Sequence, residues 1–158
     1  MHDTATLAES RTVMSEILMP NDANNLGRAL GGSILHWMDI CAAISSRRFS
    51  RRQVVTASMD HVDFLGPIDL GDIVTVEGYV FETGETSMEV VVSVRAERPS
   101  HDEKGETATS FFTMVALDDD ETPTAVPNLD CPTDDQKTLR DDALRRREKR
   151  RTSLSASQ

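Results

Sequence analysis

A carboxylate, two adjacent glycines and an amide lie close together in the sequence, between Asn24 and Asp39. Asp39 interrupts an apolar run, where an ionised group is costly unless it is paired or its protonation shifts. Gly31 and Gly32 precede that run, and the first turn of a helix carries backbone N–H donors without a partner. The amide of Asn24 can donate to a carbonyl oxygen or orient a water molecule. Together these groups have the chemistry to polarise a carbonyl and to attack it.

Each of these residues also has a structural explanation when it is taken alone. Asp39 can pair with an arginine or cap a neighbouring element. The two glycines can allow close packing of a strand on the helix, and a loop asparagine such as Asn24, or the adjacent Asn25, commonly stabilises a turn. The occurrence of all three features within one segment favours a functional site.

A helix predicted over residues 31–48 fixes the positions of these groups. Apolar residues recur there at intervals of three and four, the spacing of one helix face, and a second apolar face is typical of a buried helix. Gly32 and Asp39 are seven residues apart, so they share a face and lie ~10 Å apart along the axis. The first apolar face comprises Ile34, Leu35, Met38, Cys41, Ala42 and Ser45, and the second comprises Trp37, Ile40 and Ile44.

That separation calls for a second chain. A carbonyl whose attacker stands ~3 Å away cannot touch both Gly32 and Asp39 of one helix. Two such helices packed antiparallel would bring Asp39 of one chain close to Gly32 and Asn24 of the other. The spacing therefore predicts a dimer with two shared sites.

Five segments with the composition of strands accompany the helix. In the clearest, apolar and polar residues alternate with a period of two. Short turns join the four segments that follow the helix, which implies antiparallel pairing. One helix cannot cover both faces of such a sheet, so the sheet must curl around it or pair with another chain. We therefore expect an α+β fold in an obligate oligomer, with strands at 11–19, 53–65, 72–82, 87–97 and 107–118.

The length and charge of the chain limit its class. The 158 residues suit one domain at 11–127, with a flexible leader at 1–10 and a charged, flexible tail or frayed helix at 128–158. A net charge of −10 argues against a general nucleic-acid binder, and the basic run at 145–151 is more typical of a solvated tail. Only three of the 17 basic residues are lysines, a composition that suits a salt-rich cytoplasm (a halophilic protein) and predicts a melting temperature that rises with KCl. An ordinary acidic protein, with no such dependence on salt, is the alternative.

Neither a secretory signal nor a membrane span is visible, so we expect a cytoplasmic protein without a membrane partner. Cys41 and Cys131 lack the spacing of metal ligands, which predicts free thiols. His36 and His61 have no second ligand pattern and are interpreted as packing or surface residues. The sequence therefore predicts no metal site.

Four segments resemble the cytosolic acyl-CoA hydrolases of the hotdog superfamily. They are MPNDANNLGRALGGSILHWMDICAAI, VVTASMDHVDFLGPIDLGD, TGETSMEVVVSVRAE and FFTMVALDDDETPTAVP. The specific feature is the combination Asn-x-x-Gly, Gly-Gly and Met-Asp, followed by Phe-x-x-Pro-x-x-x-Gly-Asp. The resemblance implies a hotdog fold, hotdog dimers that often form trimers of dimers, and an acyl-CoA substrate. It implies no cofactor beyond the coenzyme A carried by that substrate.

The resemblance also implies residue roles. Asn24 and Asp39 would be catalytic and would act across the dimer interface, with Asp39 as general base for water or as a nucleophile forming a transient anhydride. The Gly32 amide would polarise the thioester carbonyl. Because thiolate is a good leaving group, one base and one polarised carbonyl could suffice. The expected substrate-binding residues are Gly31, Thr56, Phe64, Pro67, Gly84, Thr86 and Ser87.

Contacts to the phosphates of coenzyme A are less defined by the sequence. Glu85 stands where many relatives have a basic residue, which argues against phosphate pairing at the hairpin of 84–87. Four arginines lie in the last turn of the predicted helix or just after it. They can bind phosphate, or they can complement the negative end of the helix dipole. They are Arg47, Arg48, Arg51 and Arg52.

Hydrolysis of acyl-CoA to a free acid and coenzyme A is the favoured function. A non-catalytic acyl-CoA sensor on the same fold is the alternative, and a binder has little need of both Asn24 and Asp39. A hydroxyacyl-CoA dehydratase would use a histidine–aspartate pair, for which this segment offers only the poorly placed His36.

Overall fold

A long helix packs against an antiparallel sheet in the computed structural model, which describes residues 3–101 and 103–156. The sheet contains five of the strands, in the order β2-β4-β5-β6-β3, so that β2 and β3 are its edges. Helix α2 contacts all five of them, which confirms the predicted α+β architecture. In chain order the elements are β1 (Thr4–Thr6), α1 (Leu7–Ser10), β2 (Thr12–Ile17), α2 (Gly31–Ser50), β3 (Gln53–Met59), β4 (Ile73–Thr83), β5 (Ser87–Arg98), β6 (Glu103–Leu117), β7 (Asn128–Asp130) and α3 (Asp134–Ala156).

Helix α2 buries one of its two predicted apolar faces within the chain. That face includes Ile34, Met38 and Cys41, and burial raises the pKa of the Cys41 thiol to about 12. The second face is only half-buried, so a single chain does not provide the second layer that its apolar character predicts. The helix ends where Arg51 adopts a left-handed conformation with φ 59°.

Strand β3 is shorter than the predicted segment 53–65. Its ladder with β6 ends at the pair Met59–Phe112, after a register shift between Thr56 and Ser58. Residues 60–65 continue beside β6 without forming a strand, and they lead to the turn that precedes β4. Strand β5, whose period of two is the clearest, spans Ser87–Arg98 and confirms the prediction for 87–97.

Both ends of the chain, for which composition predicts flexibility, carry secondary structure. Strand β1 pairs in parallel with β7. Helix α1 begins with a capping box between Thr6 and Glu9, and Leu7 is fully buried. Helix α3 packs on the face of the sheet opposite α2, where Ala143 joins a second apolar cluster. The other buried members of that cluster are Leu7, Tyr79, Phe81, Val91 and Phe111.

The Gly-Asp pair of the Phe-x-x-Pro-x-x-x-Gly-Asp motif shapes the turn before β4. Gly71 has φ +88°, a conformation that favours glycine. Asp72 is 3% exposed, and its carboxylate accepts hydrogen bonds from the Asp69 N–H at 2.8 Å and from Arg98 Nε at 3.0 Å. Burial acts to raise the pKa of Asp72, but these hydrogen bonds outweigh it and the pKa is lowered.

We expect Asp72→Asn to lower the free energy of unfolding by about 2 kcal/mol at neutral pH, because it removes charge-assisted hydrogen bonds to Arg98. Since the folded-state pKa is lowered, this stabilisation is complete above the unfolded-state pKa and is lost as pH falls through the folded-state value. Urea unfolding of the wild type and of Asp72→Asn at a series of acidic pH values measures this difference in the free energy of unfolding. If the free energies of unfolding of the two proteins differed by the same amount even at the lowest pH, the stabilisation would not come from the ionised Asp72. Asp119→Asn, at an exposed carboxylate, is the control.

Candidate active site

Two backbone donors at the start of α2 have no acceptor among the described residues. Leu30 precedes the helix without a side-chain cap, and its carbonyl accepts from Ser33 and Ile34, which leaves the N–H groups of Gly31 and Gly32 unpaired. A Cβ atom added to Gly32 would meet nothing within 4 Å. The space over this terminus is therefore open, and the helix dipole makes it favourable for a developing negative charge.

Asn24 has the structural role that the sequence offered for it, and its geometry is compatible with the chemical role as well. Its Oδ1 accepts from the Leu26 N–H at 2.9 Å and from the Arg28 N–H at 3.1 Å, which closes the loop. The Nδ2 group donates to no acceptor within the part of the chain that the structure describes. Because Asn24 is exposed, this second half of the amide is available to a ligand.

A groove of about 490 Å³ lies at the same end of α2. It brings together four predicted residues, Asn24, Gly31, Phe64 and Pro67. The Phe64 ring lies 3.9 Å from the position that a Cβ of Gly31 would occupy. The lining residues that sequence reasoning missed adjoin the predicted ones along the chain, and that adjacency is the signal that could have found them. They are Arg28, Ala29, Leu65 and Ile68, and the groove also includes Gly66, which the resemblance places with Pro67 near coenzyme A.

Asp39 lies outside that groove and is itself half-buried. Its Oδ1 accepts a hydrogen bond from Thr56 Oγ1 at 2.7 Å. No arginine or other cation pairs with Asp39 among the residues the structure describes, which removes the ion-pair explanation within one chain. Thr56, known from the sequence only through the resemblance, is thus the hydroxyl that orients this carboxylate.

A single chain therefore carries the site in two separate parts. The Asn24 groove is at the first turn of α2, and Asp39 follows Gly32 by two turns, ~10 Å along the axis. Thr56, the hydrogen-bond partner of Asp39, belongs to the edge strand β3, in which Val55 and Met59 are also exposed. Within the described residues, the carboxylate is therefore separated from the unpaired N–H groups of Gly31 and Gly32 by two turns of the helix.

The hairpin predicted to contact substrate lies at the other end of the sheet. The Gly84 N–H donates to Ser87 O at 2.9 Å, and a Cβ on Gly84 would stand 2.7 Å from Ser87 Oγ, so a larger residue there would have to displace the Ser87 hydroxyl. Thr56 and the residue before the hairpin, Thr83, lie in one row across the sheet. Gly84, Thr86 and Ser87 are therefore near the level of Asp39 and are not brought to the Asn24 groove of the same chain.

The other candidate groups have local partners. Arg48 donates to Arg11 O at 3.1 Å and to Thr12 Oγ1 at 3.2 Å, which gives it a structural role. Arg47, Arg51 and Arg52 line surface cavities at the end of α2.

His36 and His61 form no metal centre with their described neighbours. His36 is exposed, and His61 Nε2 lies 3.2 Å from Asp63 Oδ2. Across residues 3–101 and 103–156, no group of three histidine, cysteine, aspartate or glutamate side chains is arranged to hold a metal ion. In the same residues no helix has the length and apolarity needed to span a membrane.

Comparison with known proteins gives one consistent family. Residues 26–101 match the profile of the thioesterase superfamily. A Bacillus subtilis protein named uncharacterized acyl-CoA thioester hydrolase YkhA is 40% identical over 156 residues, which cover 99% of this chain and 91% of that one. A crystal structure of an apo-hexameric acyl-CoA thioesterase is 37% identical, with a TM-score of 0.84, over 96% of this chain and 97% of that one.

An acyl-CoA hydrolase from Staphylococcus aureus, solved with butyryl coenzyme A and coenzyme A, is 36% identical with a TM-score of 0.83. The match covers 98% of this chain and 94% of that one. Three further structures of that enzyme carry an alanine in place of an asparagine, an aspartate or a threonine. Those three positions are separated by 15 and 17 residues, the same intervals that separate Asn24, Asp39 and Thr56.

Proposed function

The chain belongs to the acyl-CoA thioester hydrolases of the thioesterase superfamily, and we propose that it hydrolyses acyl-CoA with Asp39 of one subunit and Asn24 of another. The observation that carries the proposal is the environment of Asp39. Its carboxylate accepts from Thr56 and has no cationic partner among the described residues. A carboxylate held by one neutral hydroxyl keeps an oxygen free for water or for the thioester.

The two parts of the site supply complementary chemistry. The unpaired N–H groups of Gly31 and Gly32 are suited to polarising the thioester carbonyl, since the dipole of α2 stabilises charge that develops on its oxygen. The Asn24 amide positions the water or the thioester. Asp39 then removes a proton from the water that attacks the carbonyl carbon, or it attacks that carbon itself to form an anhydride that water hydrolyses to the free acid. Either role uses the oxygen that Thr56 does not occupy. Coenzyme A leaves as the thiolate.

A two-fold dimer is what joins these parts. Antiparallel packing of two copies of α2 along the face that carries Gly32 and Asp39 would bring each Asp39 to the groove of the other chain. The exposed edge of β3, the strand whose Thr56 binds Asp39, would extend the sheet across the interface. The hexameric relative supports self-association, and we propose a trimer of such dimers.

Release of free thiol from a panel of short, medium and long acyl-CoAs tests the function. Hydrolysis of at least one of them is the expected result. Tight equilibrium binding without release of thiol would instead identify an acyl-CoA sensor. The same assay applied to variants then tests the residue roles.

We expect Thr56→Val to lower kcat by about tenfold, because the isosteric valine keeps the packing and removes the hydrogen bond that orients Asp39. Thr56→Ser retains the hydroxyl and should recover most of the rate, and this matched pair separates orientation from packing. Equal rates for the valine and serine variants would show that the hydrogen bond has no part in turnover. Steady-state kinetics with one acyl-CoA substrate measures the difference.

A further inference from the structure

Helix α3 lies outside the site described above, yet one of its arginines reaches the segment that forms a wall of the Asn24 groove. Arg150 Nη1 donates to His61 O at 2.9 Å, and Nη2 donates to Thr109 O at 2.7 Å. Its guanidinium also stacks over Phe111, 5.2 Å from the ring centroid. The side chain therefore bridges β6 and the 60–65 segment, and it is held in place by an aromatic ring.

The 60–65 segment has few other attachments. Beyond the end of β3, and within the described part of the chain, its backbone amides donate to β6 only at Asp60 and Leu65. Phe64 and Leu65 are 47% and 71% exposed, so burial in the core does not hold them. The carbonyl that Arg150 binds lies between the two backbone attachments. Removal of this contact leaves the Ser110 hydroxyl and the packing of half-buried Val62 against the core to hold the middle of the segment.

A second arginine on the same face of α3 contacts the strand that leads into the hairpin of 84–87, the other segment predicted to bind substrate. Arg147 stacks over Phe81 at 5.1 Å and pairs with Glu82, close to the hairpin of 84–87. Glu82 lies directly across from Glu89 in the β4–β5 ladder, and like charges in that position repel. The guanidinium of Arg147 offsets that repulsion at the base of the hairpin. Arg147 and Arg150 are three residues apart, so they act from one helix face.

We propose that α3 is a positioning element for the acyl-CoA site, in which Arg150 fixes the groove wall that carries Phe64 and Arg147 fixes the hairpin of 84–87. The inference rests on the proposed function and adds a determinant of substrate binding to it. Arg150 binds two carbonyls at once through the fixed fork of its guanidinium. A lysine at this position can keep the charge and bind one of them.

Arg150→Ala is the test, with two readouts. We expect KM to rise about tenfold and kcat to stay within about twofold, because the segment shapes the binding groove and does not take part in the chemistry. Hydrogen exchange of the Asp60 and Leu65 amides should accelerate about tenfold or more, while the amides of β4 and β5 keep their protection. Arg150→Lys should fall between the wild type and Arg150→Ala in both readouts.

Arg145→Ala is the matched control, since the Arg145 side chain is 73% exposed and pairs with Asp142 of the same helix. It should change neither readout. Unchanged KM and exchange in Arg150→Ala would overturn the proposal, and so would an equal loss of protection throughout the sheet, which marks a general structural role. If the wild type hydrolyses no acyl-CoA, the proposed function fails, while exchange at Asp60 and Leu65 still decides the positioning role.

Discussion

Asp39→Asn should lower kcat for acyl-CoA hydrolysis by about 10³-fold, the range for loss of a general base or nucleophile. The asparagine has the shape of the aspartate and can still accept the hydrogen bond from Thr56 through its amide oxygen. It cannot take a proton from water or form an anhydride. The fold and the oligomeric state should therefore be unchanged while turnover is lost.

Thiol release and light scattering measure these two properties on the same preparation. Asp141→Asn is the matched control, because Asp141 is an exposed carboxylate of α3 far along the chain from the site. It should retain the wild-type rate. Wild-type turnover in Asp39→Asn with every acyl-CoA tested would show that hydrolysis does not use this carboxylate.

Mixing two inactive chains should restore activity if the site is shared. We expect Asn24→Ala and Asp39→Ala proteins to have little activity separately, since each removes one part of both sites in its dimer. In a mixed dimer, one site contains both mutations and the other contains both native residues. Random reassociation makes half of the dimers mixed, so about a quarter of the wild-type activity should return.

The mixture must be unfolded and refolded together so that subunits exchange, and each variant refolded alone is the control. A mixture that stays as inactive as its components would place Asn24 and Asp39 of the same chain in one site. That result would overturn the shared site. The role of Asp39 itself would still be tested by the single substitution Asp39→Asn. When the ratio of the two variants is changed, the recovered activity should be largest where they are mixed in equal amounts.

Much of the fold could be predicted because its pattern is local. The alternation within β5 and the three-four spacing within α2 are properties of adjacent residues, and both elements formed close to the predicted bounds. The end of β3 was not predictable in the same way. Its residues have strand composition through Leu65, but the ladder partner on β6 decides that pairing stops at Met59.

The packing of α3 was the largest difference from the sequence prediction. Residues 134–156 carry many charges and few apolar side chains, a composition typical of flexible tails. The structure attaches the helix through arginines that stack on Phe81 and Phe111 and through ion pairs with Glu82 and Glu106. A hydropathy scale does not include such contacts, because it treats every arginine as a solvated residue whether or not an aromatic ring packs against it.

The sequence by itself determined the α+β class, the thioesterase resemblance and the separation of Gly32 from Asp39 along one helix. Tertiary structure alone decided that Thr56 orients Asp39, that Phe64 and Pro67 join Asn24 in a groove, and that Arg150 supports the groove wall. The physical reason is the distance along the sequence between the residues that interact. Helix and strand periods arise between neighbours in the chain, whereas these contacts join residues from 17 to 89 positions apart, which only the folded chain brings together.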